Sequence, residues 1–251
     1  MWNALLIALS TYSVIPMPQC DWSPKNTQYA IYFFPAVGLF CGAALALWYL
    51  LCTALGVSAL FFSLVAVCLP LLLTGGIHMD GFMDTVDALA SHQSRERKLE
   101  ILKDSCSGAF AVIYCGIYLL LSTALLHELY AGGQIRVLLP MYIASRALSA
   151  LCAVTMPNAR KAGMLSSFLE HAKARQAAVS TVVVFLLAAA AMLLISPIPA
   201  LFGILAALLA MLCYRRMAKK QFGGATGDTA GFFLQVCEAS VLLGVWIGGL
   251  L

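Results

Sequence analysis

The sequence predicts an all-α, polytopic integral membrane helix bundle of about seven transmembrane helices, with short amphipathic or re-entrant segments on one side. Three observations carry that prediction. Of 251 residues, 62% are apolar and only 10% charged, against about 25% charged in an ordinary soluble domain. The mean hydropathy is +0.92. The apolar residues also fall into seven separate runs, each close to the length of about 20 residues that crosses a bilayer. A soluble fold of this size needs a polar skin that 26 charges cannot supply. A soluble enzyme and a disordered chain are therefore excluded, and so is a nucleic-acid-binding module, which would show a basic patch.

The first segment, MWNALLIALSTYSVIPMP, lacks a basic start and a small-residue cleavage site, so it does not read as a removable signal peptide. It is short for a span and ends in Pro16 and Pro18, which suggests an interfacial or re-entrant element. The expected spans are 29–53, 57–74, 108–127, 136–156, 177–195, 198–214 and 232–251. Aromatic residues near Tyr29–Phe34 and at Trp48–Tyr49 mark the two ends of the first. The nine cysteines form no C-x-x-C pair and lie mostly inside apolar runs, as small buried hydrophobes would. With no repeat or linker, residues 1–251 read as a single membrane-embedded domain.

Charge sorts the connectors. Lys25 precedes the first span; Arg95, Arg97, Lys98 and Lys103 follow the second; Arg160, Lys161, Lys173 and Arg175 follow the fourth; Arg215, Arg216, Lys219 and Lys220 follow the sixth. The alternate connectors hold only Arg136. By the positive-inside rule the charged loops and N-terminus are expected in the cytoplasm and the C-terminus outside. All acidic residues except Glu128 and Glu238 fall on the same side. A transporter would spread ionisable groups through its spans, so the polar chemistry is expected at the cytoplasmic edge.

The sharpest cluster there is TGGIHMDGFMDTVDAL, residues 74–89. Asp80, Asp84 and Asp87 stand at i, i+4 and i+7, within an arc of about 60° on an α-helix. Three such carboxylates repel one another unless protonation, arginine partners or a divalent cation relieves them. Hard cations such as Mg²⁺ take carboxylate oxygens and complete their shell with substrate phosphate oxygens. A stripe of this kind is ordinarily a solvated face, but Phe82, Met83, Val86 and Leu89 press this helix against the membrane or bundle. His78, just ahead of the stripe, is positioned to bind substrate or carry a proton.

Residues 95–110, RERKLEILKDSCSGAF, alternate Leu99, Ile101 and Leu102 with charges, as an amphipathic helix on the bilayer surface would. Lys103, Asp104 and Ser105 lead into Gly108 at the next span, where a lysine and a helix N-terminus suit a phosphate; an interfacial anchor is the plainer alternative. Arg146 stands in mid-span, where a charge costs about 2.5–3.5 kcal/mol on insertion scales. It needs a partner, Glu238 being the obvious one, or an anionic ligand. The segment GGATGDTAGFFLQVCE, 223–238, sets Gly224, Thr226, Gly227 and Asp228 at the mouth of the last span, where backbone amides could cradle a phosphate. His92, His127 and His171 have no spaced partners and read as surface or interfacial residues.

Taken in order, GGIHMDGFMDTVDAL, RERKLEILKDS with Gly108, Ser145–Arg146, Ala159–Arg160 with Gly163, and GGATGDTAG with Glu238 resemble the adenosylcobinamide-GDP ribazoletransferase, or cobalamin synthase, family over nearly the whole chain. The chain departs from the family pattern at Cys106, Ser122 and Ala88, where arginine, lysine and glycine are usual. The resemblance implies a polytopic bacterial membrane enzyme with Mg²⁺ as cofactor and a homo-oligomer as an open option. Its reaction would join adenosylcobinamide-GDP to α-ribazole or its 5′-phosphate, with release of GMP. It further implies that Asp80, Asp84 and Asp87 hold the metal with Asp228 as a further ligand, and that one of these carboxylates or His78 accepts the hydroxyl proton. Lys103, Arg146 and Arg160 would hold phosphate oxygens. Two rivals fit less well. A CDP-alcohol phosphotransferase would show an Ala-Arg and a fourth aspartate at set spacing, which this chain lacks. A transporter would need more than Arg146 and Glu238 deep in its spans.

Overall fold

The computed structural model describes residues 1–104, 106–160, 163–170 and 172–251; Ser105, Lys161 and His171, named above, lie outside them. No strand is found among the described residues. Helix α1 (Trp2–Tyr12) is too short to cross a bilayer. It buries Leu6, Ile7 and Leu9 against the 3₁₀ turn Ala30–Phe33 and the start of α3 (Phe34–Leu55), as a re-entrant element would. A single turn, α2 (Pro24–Thr27), lies between them.

The chain then crosses back and forth. Helix α3 runs away from the charged end, closed by Gly56 in the left-handed conformation (φ 64°), and α4 (Ala59–Leu73) returns. At Thr74–Gly76 the path bends by 93° into α5 (Ile77–Ala90). Gly75 and Gly76 both take positive φ there, which glycine alone adopts without strain. Helix α5 therefore lies across the charged end of the bundle, outside the spans. After α6 (Arg95–Ile101), α7 (Ala109–Ala131) leads away. Helix α8 (Met141–Thr155), preceded by the 3₁₀ turn Ile135–Leu138, returns. The short α9 (Met164–Glu170) is followed by α10 (Ala174–Ile195) outward, α11 (Pro197–Gln221) back and α12 (Gly227–Gly249) outward. Six of these segments are long and apolar enough to span by themselves, and the bent α4–α5 pair makes a seventh.

Helix α12 is the hub. It packs on α11, α5, α8 and α7, while α10 flanks α8 and α11. Lipid-facing residues stay apolar: Leu47, Leu120, Leu187 and Leu194 are among the most exposed side chains. An ion pair lies buried in the interior. Arg146, the largest fully buried side chain, is paired through Nη1 with Glu238 on α12, and Ser145 Oγ donates to the same carboxylate at 2.9 Å. Nη1 also donates to the Tyr142 carbonyl at 3.2 Å. Of the two expectations for Arg146, the structure shows the internal pair: the side chain is 99% buried, Nη1 bonds Glu238, Nη2 lies 3.8 Å from Cys41 Sγ, and Nε has no partner among the described residues.

Helix α6 sits differently from the surface anchor expected. Its apolar side is covered by protein, with Leu102 packed against Ala88 of α5 and Phe222. Lys98 is buried and donates to Gln221 Oε1 at 2.5 Å. The reason is that α5 and the end of α11 present an apolar notch here, which water-exposed lipid headgroups do not.

The Arg146–Glu238 pair gives a direct stability test. Glu238→Leu leaves a buried cation without its partner and is expected to cost about 3–5 kcal/mol, whereas Arg146→Met/Glu238→Leu together recover most of it. Unfolding in detergent, followed by loss of the monodisperse size-exclusion peak with temperature, reads both.

Candidate active site

At the charged end, α5 and α12 cross almost backbone to backbone. A Cβ added at Gly81 would lie 2.7 Å from the Asp228 carbonyl oxygen, and one at Gly231 would lie 3.0 Å from the His78 carbonyl oxygen. Larger residues at these two positions would push the helices apart. Because both are glycine, the carboxylate stripe of α5 comes up against the first turn of α12.

That first turn is built by the glycine-rich segment. Thr226 caps α12 by accepting from Thr229 N at 3.1 Å, while Thr229 Oγ1 accepts from Thr226 N at 2.9 Å, a reciprocal capping box. Upstream, Gly224 and Ala225 pair with the 157–160 loop: Ala225 N donates to Pro157 O at 2.8 Å and Ala159 N to Ala225 O at 2.9 Å. Gly224 lies so close to the Pro157 carbonyl that no side chain fits, so its role is packing. The pairing delivers Arg160, whose Nη1 contacts Asp228 Oδ2 at 3.1 Å and whose Nη2 donates to Leu99 O at 3.2 Å. Arg160 Nε is buried with no hydrogen-bond partner.

These residues enclose a cavity of about 190 Å³. Asp80, Asp228, Arg160, Asn158, Thr226 and Gly227 form its polar end. Its apolar end is formed by Tyr12, Ile31, Phe34, Ala150 and Leu165, with His78 between the two. A Cβ on Gly227 would meet nothing, so the α12 N-terminus opens onto free space. The partial positive charge of a 23-residue helix is thereby directed at the cavity.

The expected site residues separate into two groups. Asp80, His78, Arg160, Thr226, Gly227 and Asp228 are brought together around the cavity. Asp84, one turn along α5, stays within reach of the same charges. Half-burial, then Asp80, Asp228 and Asp87, push its carboxyl up to about 7, with Arg160 opposing. Asp87 stands apart: Oδ2 accepts from Gly108 N at 2.5 Å and Oδ1 from Ala111 N at 2.8 Å. It caps α7 from a neighbouring helix, satisfying amides that would otherwise be orphaned. Lys103 and Asp104 are exposed in the turn after α6 and do not line the cavity; Asp104 Oδ1 accepts from Cys106 N at 3.0 Å. Arg146 is likewise absent from the lining. Sequence reasoning missed Tyr12 and Phe34, which were read as part of an anchor and an aromatic belt. Only their placement beside His78 reveals them.

The donor set fits a hard divalent cation. Among the described residues, no three His, Cys, Asp or Glu side chains converge into a ready cage. Mg²⁺ does not need one, because it uses one or two carboxylates and fills the remaining positions with water and phosphate oxygens. Burial first, and then the carboxylates of Asp80, Asp228 and Asp87, hold the Asp84 carboxyl up, with Arg160 opposing, and a cation would offset the carboxylates' share.

Comparison with known proteins identifies the family. A family model described as cobalamin-5-phosphate synthase matches residues 4–246. A Lachnoclostridium phytofermentans protein named adenosylcobinamide-GDP ribazoletransferase is 40% identical over 245 residues, covering 98% of this chain and 94% of its own. One of the same name from Clostridium perfringens is 33% identical over 250 residues, covering 97% and 98%. Another from a Geobacillus species is 30% identical over 256 residues, covering 98% and 96%. No solved structure matches the chain significantly.

Asp84 makes stability depend on pH. Its folded carboxyl titrates near 7 against an ordinary 3.8, so between those values the folded state holds more protons than the unfolded. Stability must then fall as pH rises through that window. In chelator-treated protein, raising the pH from 5 to 8 is expected to lower the unfolding temperature, and Asp84→Asn to flatten that dependence. An equal slope in wild type and variant would show that Asp84 is not the group responsible.

Proposed function

The chain belongs to the cobalamin-5-phosphate synthase family, and from that premise we propose a specific transfer. The adenosylcobinamide phosphate moiety of adenosylcobinamide-GDP passes to α-ribazole or its 5′-phosphate, and GMP is released. A ribose hydroxyl oxygen forms a new bond to the cobinamide-linked phosphorus. The bond from that phosphorus to the bridging oxygen breaks, GMP leaves with that oxygen, and the hydroxyl proton passes to a base. The observation that carries this reading is the meeting of Asp80, Asp228, Arg160 and the α12 N-terminus around one cavity. Phosphoryl transfer needs positioning and neutralised charge more than covalent help from the protein.

The residues divide the work. Arg160, held by Asp228 and Leu99, keeps its unpartnered Nε for a phosphate oxygen. Gly227, which leaves open space at the head of α12, lets a second phosphate oxygen approach the backbone amides. Asp80, exposed in the cavity wall, is the base within reach of an incoming hydroxyl. Mg²⁺ belongs to this reading; one or two of Asp80, Asp84 and Asp228 would hold it, and bound there it would neutralise diphosphate charge. Asp87 and Arg146 support the framework that sets these groups.

The same reading places the charged end in the cytoplasm of a bacterial cell, the N-terminus inside and the C-terminus outside the inner membrane. Its support is the clustering of basic residues on that end. The bilayer and the two small-molecule substrates are the partners it requires.

Purified protein in liposomes, supplied with adenosylcobinamide-GDP, α-ribazole 5′-phosphate and Mg²⁺, is expected to release GMP and corrinoid product in equal amounts. No product under metal-replete conditions would sink the assignment. Asp80→Asn is expected to lower kcat/KM by at least about a hundredfold with normal membrane insertion. For orientation, a periplasmic reporter fused after Gly163 should stay silent, and activity there would reverse the topology.

A further inference from the structure

His78 is 95% buried, and its Nε2 has no hydrogen-bond partner among the described residues. Leaving such an atom unpaired costs about 1–3 kcal/mol, so it calls for an explanation. The ring is held rigidly: Tyr12 stacks on it at 5.9 Å between centroids, Phe34 meets it edge-on at 5.6 Å, and those two rings touch each other at 4.6 Å. Neither neighbour offers Nε2 a partner. His78 lines the cavity between its apolar and polar residues.

The shape of that cavity limits what can enter. Its volume is about 190 Å³, whereas an apolar cavity of roughly 150 Å³ takes a benzene ring. A planar bicyclic base is of a size with it, and a corrin macrocycle carrying a nucleotide is far larger. Asp80 also lines a second, more open cleft of about 550 Å³ at the α4–α5 elbow, beside Leu71, Gly75, Met79 and Met83. Two approaches to one carboxylate are thus available, one narrower, the other wider and more open.

We propose that the narrower cavity is the seat of the acceptor's aromatic base, with His78 Nε2–H donating to the base's unglycosylated ring nitrogen while the large donor reaches Asp80 from the wider cleft. Tyr12, Phe34, Ile31 and Leu165 give the base its apolar walls, and the attached ribose extends toward Asp80, Asp228 and Arg160. His78 is accordingly a binding residue that selects the acceptor. It lies at the opposite end of the base from the transferred phosphoryl group and takes no proton in the reaction. This assignment rests on the transfer reading above for the identity of the acceptor, but the seat itself can be measured without turnover.

The test compares α-ribazole with an analogue in which the unglycosylated ring nitrogen is replaced by CH, as in an indole riboside. Wild-type protein in nanodiscs is expected to bind ribazole alone about tenfold more tightly than the analogue, the scale of one hydrogen bond to a buried group. His78→Phe keeps an aromatic ring but no donor, and should bind both equally and weakly. His78→Gln retains a donor amide and should restore part of the preference. In turnover, His78→Phe should raise KM for the acceptor about tenfold and leave KM for the GDP-linked donor within about twofold. Equal binding of the two acceptors by wild-type protein would overturn the base seat whatever the variants do. So would an undiminished preference in His78→Phe. Selective ribazole binding without any GMP release in wild type would support the seat and overturn the transfer reading.

Discussion

The close crossing of α5 and α12 is the constraint on which the charged end of this protein depends. Gly81 and Gly231 let the two backbones approach to a distance that no side chain allows. That approach brings the carboxylates of α5 to Asp228 and, through Asp228, to Arg160. Hard anionic groups are thus concentrated where two helices meet. There the half-buried Asp84 cannot shed its charge into bulk water and rises toward neutral pH. That proximity suits the site to phosphate chemistry.

The crossing holds because α12 is fixed elsewhere. Glu238, buried ten residues further along α12 than Asp228, is paired with Arg146 of α8 and takes a second bond from Ser145. In an apolar interior such a pair adds little net stability relative to a well-packed hydrophobic pair. It does penalise any rotation or slide of α12 that would separate the charges. Asp87 acts similarly at the other side of α5, holding the first amides of α7. Two ionisable residues that look like site components therefore serve as fasteners, and each holds an element that borders the site.

How much of the site was legible beforehand depends on what each residue needs. Asp80 and Asp84 could be found from spacing alone, since helical periodicity places them on one face whatever surrounds them. Asp87 shares that spacing, yet its oxygens turn to α7, a helix that begins 22 residues later. Arg146 and Arg160 are indistinguishable as basic residues in a polar-poor chain. Only the pairing of the 157–160 loop with Gly224 and Ala225 puts Arg160 at Asp228 and leaves Arg146 with Glu238. Helix α6 has the amphipathic pattern of a surface anchor, but its apolar side is occupied by Ala88 and Phe222, which local pattern cannot anticipate. Tyr12 and Phe34 likewise acquire meaning only from His78 between them.

By itself the sequence determined that this is a helical membrane bundle, where its apolar segments lie, and that its charges gather at one end. Those properties follow from composition and from periodicities of a few residues, which act locally and survive any packing. The tertiary structure alone decided which charges bond to each other, which of them face a cavity, and that a buried imidazole closes its apolar end. Burial and pairing are relations between segments far apart in the chain, and in a bilayer they are set by how closely small residues let helices approach.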